Sequence, residues 1–308
     1  MDVKSVRVRV PASTANLGPG FDSLGMAFQL YTELTMTLAD QTVIKLIGKE
    51  MEGLRADKSN LIYQTAATLF TKAGLPVPEL EIEVESHIPL TRGLGSSAAA
   101  IVGALTAANV LAGEPFSQDQ LFAIASDMEG HPDNVGASFF GGVVVASMPE
   151  DGEMGVPFVK LPVLKGLQTL VVIPDYWLST EEARKALPDS YSRADFVYNI
   201  GHSSLLVAAL AQGRLDLLGK AMRDRLHQPY RAKLVPGLQE ILTEATNYGA
   251  LGAALSGAGP TTLFFYSGDE QKERLLAFVE GIMAKYRISY RSMVLAADNQ
   301  GVRIEERE

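Results

Sequence analysis

A chain of 308 residues is long enough for two domains of about 150 residues each. Its composition, 47% hydrophobic and 20% charged, is that of a globular protein with a sizeable core. A net charge of −9 argues against nucleic acid or an anionic membrane as the main partner, and the absence of cysteine excludes disulfides, thiol catalysis and thiolate metal sites. The opening MDVKSVRVRVP reads as a strand rather than a signal peptide, and no apolar run reaches the ~20 residues of a membrane span. The expectation is a cytoplasmic protein.

Val6, Val8 and Val10 alternate with Arg7 and Arg9, which predicts a half-buried strand ended by Pro11. The following ASTANLGPGFDSLGMAF reads as a loop of seventeen residues, and loops of that length tend to carry function. Leu34, Met36 and Leu38 followed by Val43–Ile47 predict a hairpin. Asn60 caps a helix, LIYQTAATLFTK, that closes at Gly74. Leu80, Ile82 and Val84 alternate with three glutamates as a strand, which runs into PLTRGLGSSAA at 89–99.

That stretch is written as an anion cradle. Gly93 and Gly95 let the main chain turn and let a ligand approach it. The helix that follows opens with unpaired N–H groups and a partial positive charge. Together these bind phosphate without a lysine. The pattern is not the G-x-x-x-x-G-K-[ST] loop, because no lysine follows the second glycine.

Ser117 and Gln120 form a capping box for a helix that runs to Glu129 and stops at Gly130. An acidic residue in a last helical turn opposes the helix dipole. Glu129 is thus either a solvated surface residue or a metal ligand whose cation offsets its position. His131-Pro132-Asp133-Asn134 and FFGGVVVAS read as a turn into a buried strand. The acidic stretch 148–155 is a domain boundary or a hairpin tip. Beyond it the pattern predicts a strand at Gln168–Ile173 and a short helix opened by Ser179-Thr180. Two longer helices follow at 194–212 and 215–226, then a polar turn at 227–237 and a helix at 238–248. A second glycine-rich stretch spans 252–261. A strand at 262–266, a helix at 271–285 and a strand at 289–297 close the chain. This alternation predicts α+β layers in both halves rather than a doubly wound sheet.

Three stretches together resemble the motifs of the GHMP kinases: VPASTANLGPGFDSLG, PLTRGLGSSAA and GALGAALSGAGPT. The resemblance spans nearly the whole chain. It implies an N-terminal ribosomal-protein-like α+β domain (1–160) that binds ATP, a C-terminal ferredoxin-like α+β domain (161–308), and an active site between them. The segments around Asn16–Asp22, Glu129–Asn134, Ser179–Arg184 and Pro229–Ala232 resemble the members that act on L-homoserine. The implied reaction is transfer of the ATP γ-phosphoryl group to the side-chain hydroxyl of L-homoserine, on the threonine pathway.

The same resemblance assigns residues. Pro89, Leu90, Thr91, Arg92, Gly93, Leu94, Gly95, Ser96, Ser97, Ala98 and Ala99, with Asn60, would bind ATP. Ser97 and Glu129 would bind Mg²⁺. Arg184 and Arg231 would clamp the substrate carboxylate, Asp22 would take the ammonium, and Asn16 and His131 would complete the pocket. Asn134 stands where other members place an aspartate. An amide cannot act as a base at neutral pH, so Asn134 would only orient the hydroxyl. A mevalonate-type kinase and a non-catalytic ATP-binding module are the alternatives, and a homodimer is left open.

Overall fold

The structure is a computed structural model that describes residues 3–150 and 155–308. Residues 1–2 and 151–154, the latter part of the expected boundary or hairpin tip, lie outside the described residues.

The first two strands, β1 (Ser5–Asn16) and β2 (Gly20–Ala39), are antiparallel and joined only by Leu17, Gly18 and Pro19. The expected long loop is therefore mostly strand. Pro11 does not end β1, because the register with β2 shifts just after it, and a residue without an N–H is accepted at such a bulge. The expected hairpin is also absent. β3 (Val43–Ile47) runs parallel to β4 (Glu79–Ser86), which itself separates β3 from β2. A parallel pair needs a crossover, and α1 (Leu61–Lys72) supplies it.

Helix α2 (Ser96–Leu111) is buried along almost its whole length. Its small residues let it lie close on β1 and β2. A Cβ on Gly103 would stand 3.2 Å from Val10 Cγ2. Next come α3 (Gln118–Glu129), with both hydrogen bonds of its capping box, and α4 (Asp133–Phe140). The sequence reading missed α4, taking Asp133 and Asn134 at its start, and Phe139 and Phe140 at its end, for part of a turn into the next strand. The Asp133 carboxylate accepts the Asn134 N–H at 2.7 Å and starts the helix there. A short hairpin of β5 (Val143–Ala146) and β6 (Phe158–Leu161) extends the first sheet from β2.

The second half begins with β7 (Gln168–Pro174), α5 (Thr180–Lys185) and α6 (Arg193–Gln212). The helix expected at 215–226 is only a 3₁₀ turn and one turn of α-helix, α7 (Leu218–Ala221). The polar turn that follows contains a short helix, α8 (Gln228–Arg231), before α9 (Leu238–Glu244). The second glycine stretch opens as a strand, β8 (Gly252–Leu255), followed by β9 (Thr262–Tyr266), α10 (Asp269–Tyr286) and β10 (Tyr290–Leu295). The sheet order is β10-β7-β9-β8, all antiparallel, the arrangement of a ferredoxin-like domain. The chain then crosses back. β11 (Arg303–Arg307), which the sequence reading missed, pairs with the outer edge of β1. The division expected at 160/161 falls at the end of β6, but this last strand belongs to the first sheet and not to the second.

Candidate active site

The β1–β2 turn and the N-termini of α2 and α4 come from the first half. Across from them lie α5, α8 and the 256–259 loop of the second. Between them is a cavity of about 130 Å³. Asn16, Asp22, Gly93, Ser96, Ser97, Glu129, His131, Asn134, Arg184 and Arg231 all line it, so residues spread over more than two hundred positions meet at one place. Among the described residues, four of the six non-glycine residues with positive φ sit in this region: Asn16, Leu17, Asp22 and Thr91. Such backbone strain concentrates where a ligand is gripped.

The glycine loop holds Gly93 and Gly95 at φ of 78° and 70°. Space also demands glycine at both. An added Cβ would lie 2.2 Å from the Ser256 carbonyl oxygen at Gly93, and 2.1 Å from Ser13 Oγ at Gly95. Gly95 is the N-cap of α2, and no side chain caps that helix. Neither serine is a cap, so the first-turn N–H groups are free for an anion. Leu94, Ala98 and Ala99 lie in this stretch with their side chains in the core, which leaves only their main chain to face a ligand.

Ser97 Oγ donates to Glu129 Oε2 at 3.1 Å, which joins the start of α2 to the end of α3. Burial pushes the Glu129 carboxyl above its ordinary value, against the opposing pull of His131 and Ser97. A half-buried carboxylate beside a hydroxyl in a last helical turn gains from a cation. The oxygen donors of Ser97 and Glu129 therefore fit Mg²⁺. Next to them Asp22, His131 and Asp133 form the one His/acid cluster with ligand-like spacing among the described residues. His131 Nδ1 is 2.6 Å from the buried Asp133 carboxylate, which also accepts the Asn134 N–H in the first turn of α4. Asp133 lines the cavity, and its Oδ1 is shared by these two partners.

Asn134 is fixed by a residue the sequence reading passed over. Ser13 Oγ donates to Asn134 Oδ1 at 3.0 Å, and Ser138 Oγ lies 3.3 Å behind Ser13. With its oxygen engaged, the amide has its nitrogen left to offer the cavity.

Both polar atoms of the Asn16 side chain are also occupied. Nδ2 donates to the Gly257 carbonyl and Oδ1 accepts the Asp22 N–H, at 3.1 and 3.0 Å. Asn16 thus shapes the turn that presents Asp22. The Asp22 carboxylate takes two hydrogen bonds from Arg184. Arg231 is 2% exposed and donates to the carbonyls of Ala183 and Gly257. Burial, then repulsion from Arg184, lowers its pKa to about 10. Two guanidinium groups held this close make a site for a planar anion.

A second cavity, of about 340 Å³, adjoins the first across Thr91, Ser96 and Ser97. Its walls are largely apolar, including Leu46, Met51, Leu54, Ile62, Val84 and Leu90. Asn60 lines it, but its side chain caps α1 and bonds the Arg55 carbonyl. Arg92 lines neither cavity. It donates to the carbonyls of Leu90 and Pro174 at 3.0 and 3.2 Å, and it straps the glycine loop to the end of β7. Its side chain is therefore engaged with the protein's own main chain rather than free in solvent. Nothing in the sequence marks the second cavity, because its walls come from three strands, two helices and the loops between them and look like ordinary core.

An uncapped helix N-terminus, a carboxylate–hydroxyl pair and an arginine clamp between two α+β halves define a small-molecule phosphotransferase. Residues 60–142 match the model for the GHMP kinases N terminal domain, and residues 206–284 match that for the GHMP kinases C terminal. The chain belongs to the GHMP kinases, in their homoserine kinase branch. It is 46% identical to a homoserine kinase of Deinococcus radiodurans, over 97% of this chain and 96% of that protein. It is 44% identical to one of Desulfitobacterium hafniense, over 97% and 99%. The crystal structure of homoserine kinase from Cytophaga hutchinsonii superposes with a TM-score of 0.85 at 28% identity, covering 99% of this chain and 98% of that one. A mevalonate kinase structure shares the fold, with a TM-score of 0.68 at 14% identity.

Proposed function

We propose that the protein phosphorylates the side-chain hydroxyl of L-homoserine with ATP, giving O-phospho-L-homoserine. The observation that carries this reading is the cavity itself. It places a carboxylate, Asp22, and two arginines, Arg184 and Arg231, opposite the glycine loop. An amino-acid zwitterion needs both charges, and a phosphate donor needs the loop.

Phosphoryl transfer asks mostly for positioning and charge stabilisation. The nucleotide base lies in the apolar second cavity, and its phosphates pass Thr91 to the N–H groups at the start of α2. Ser97 and Glu129 would hold Mg²⁺, which when bound would neutralise charge on the phosphates. Arg184 and Arg231 grip the substrate carboxylate and Asp22 its ammonium, which leaves the hydroxyl facing Asn134. The Asn134 amide nitrogen donates to that hydroxyl oxygen and aligns it. Asn134 is no base at neutral pH, and Asp133 is turned to His131 and the α4 backbone through Oδ1, so neither is assigned the proton. The proton therefore leaves late, to the transferred phosphate. A protein of this kind, with no described helix long and apolar enough to cross a membrane, fits a cytoplasmic biosynthetic enzyme.

The test is mass detection of phosphohomoserine from ATP, Mg²⁺ and L-homoserine, with mevalonate as competing acceptor and Glu129→Ala as control. Product from homoserine alone is the expected result. Turnover of mevalonate instead overturns the reading.

A further inference from the structure

Behind the two arginines lies a histidine that the reaction above does not use. His227 has no solvent exposure and sits between the β1–β2 turn and α8. Its Nε2 is 2.7 Å from the Gly18 carbonyl oxygen, and its Nδ1 is 3.2 Å from Arg231 Nη1. A carbonyl can only accept, so Nε2 carries the proton and Nδ1 is left as the acceptor that Arg231 requires. The nearest carboxylate, Asp224, stands 3.6 Å from Nε2, too far for a hydrogen bond. It is already committed to the backbone N–H groups of Leu226, His227 and Gln228. Burial drives the imidazole toward its neutral form, and Arg231 adds to this against the pull of Asp224.

One face of the ring stacks on Phe21, with centroids 5.2 Å apart. Phe21 in turn lies under both guanidinium groups, 5.6 Å from Arg184 and 5.4 Å from Arg231. A single imidazole therefore touches the turn that presents Asp22, the aromatic ring that seats the clamp, and one arm of the clamp.

We infer that His227, as the neutral Nε2–H tautomer, is a positioning residue for the amino-acid substrate, tying Arg231 to the β1–β2 turn so that the carboxylate clamp and the Asp22 loop keep one relative geometry. Arg231 spends Nε and Nη1 on the carbonyls of Ala183 and Gly257 and on His227. That leaves Nη2 to meet the substrate. Protonated, His227 would turn a donor against this donor. The inference rests on the amino-acid reading of the site and adds a residue to it.

The experiment uses three variants of the full chain. His227→Phe keeps the stack and loses both hydrogen bonds. His227→Gln keeps a donor near Nε2 and loses the acceptor. His227→Asn keeps an acceptor near Nδ1 and loses the tie to Gly18. The KM for L-homoserine is expected to rise about tenfold or more in the Phe variant, which cuts the tie at both ends, and about threefold or more in the Gln and Asn variants, which each cut it at one end, with the KM for ATP within about twofold throughout. A folded Phe variant with an unchanged homoserine KM, or one in which both KM values rise in step, overturns the inference. If the Phe variant does not fold, the Asn and Gln pair decides by the same split. A second readout needs no substrate. The chain has four histidines, so in ¹⁵N spectra of histidine-labelled protein the resonance lost in His227→Gln identifies this ring. It should report a neutral Nε2–H ring at neutral pH. An Nδ1–H or doubly protonated ring overturns the inference. If the wild-type protein does not turn over homoserine, the substrate reading falls, while the spectrum still decides the tautomer.

Discussion

Asp22 and Arg184 face each other through two parallel hydrogen bonds, Nη2 to Oδ1 at 2.8 Å and Nη1 to Oδ2 at 3.0 Å. They come from different halves of the chain and are assigned to opposite ends of the same substrate. Each satisfies the other, so a zwitterion entering between them exchanges one ion pair for two. The fork of Arg184 matters here, and not its charge alone. Arg184→Lys should raise the homoserine KM about 10–100-fold and leave the ATP KM within about twofold, by steady-state kinetics.

Glu129 should trade stability for activity. Burial raises its folded-state pKa above 4.5. The fold thus favours the protonated carboxyl, a contribution present below pH 4.5 and lost as pH rises through the raised value. Near neutral pH the ionised group costs stability. Glu129→Gln should melt about 1–3 °C higher at pH 7.5 without divalent metal, and the gap should close toward pH 4.5. Turnover should fall about 100-fold or more. Equal melting curves at both pH values would count against the burial argument.

His131 gives a pH dependence of the same sign in a different window. Burial pulls its imidazolium down, but the hydrogen bond and charge of Asp133, then the charges of Asp22 and Glu129, outweigh it and leave the pKa raised above 6.5. The protonated ring therefore contributes stability that is complete below pH 6.5 and lost as pH rises through the raised value. In His131→Gln this fall should vanish from a melting-temperature series between pH 6 and 8.

Asn134 and Ser13 separate orientation from proton transfer. Asn134→Asp should fold and keep turnover within about tenfold, because a gained base offsets a lost donor. Ser13→Ala leaves the amide free to flip. It should lower kcat about 3–10-fold with little change in the ATP KM. Single-turnover quench-flow reads both. A Ser13→Ala enzyme with unchanged kcat removes the orienting role.

The glycine loop has a built-in control elsewhere in the chain. Gly93 and Gly74 both have positive φ, but a Cβ at Gly74 meets nothing within 4 Å. Gly74→Ala should cost only the conformational term, about 1 kcal/mol. Gly93→Ala adds a clash with the Ser256 carbonyl and should cost more, about 2–4 kcal/mol, with ATP binding weakened at least about tenfold. Denaturant melts and nucleotide titration compare the two.

The parts of this site legible in sequence were those written in one stretch. PLTRGLGSSAA contains both its strained residues and the helix it opens, so the cradle could be read without a fold. Ser117 and Gln120 announced their cap for the same reason. Asn16, Asp22, Glu129, Arg184 and Arg231 were reached by resemblance, and composition alone would have left Glu129 undecided. Residues that act through a partner stayed hidden. Ser13 looks like one more strand residue until Asn134 lies beside it, and His227 like part of a polar turn. β1 and β2 were misread because Gly18-Pro19-Gly20 dominates its surroundings, while the strands on either side tolerate proline and glycine at bulges. β11 carries too many charges to look like a strand.

That last strand orders events during synthesis. The edge of β1 that β11 covers is made nearly three hundred residues ahead of its partner, which emerges only after both halves have been built. At roughly 5–20 residues per second, that edge waits on the order of tens of seconds for its cover. Ser5 to Arg9 therefore spend the growth of the chain as an open ladder, able to pair with another nascent strand. The alternating Arg7 and Arg9 suit that interval, because like charges along an edge discourage a second copy from adding itself there.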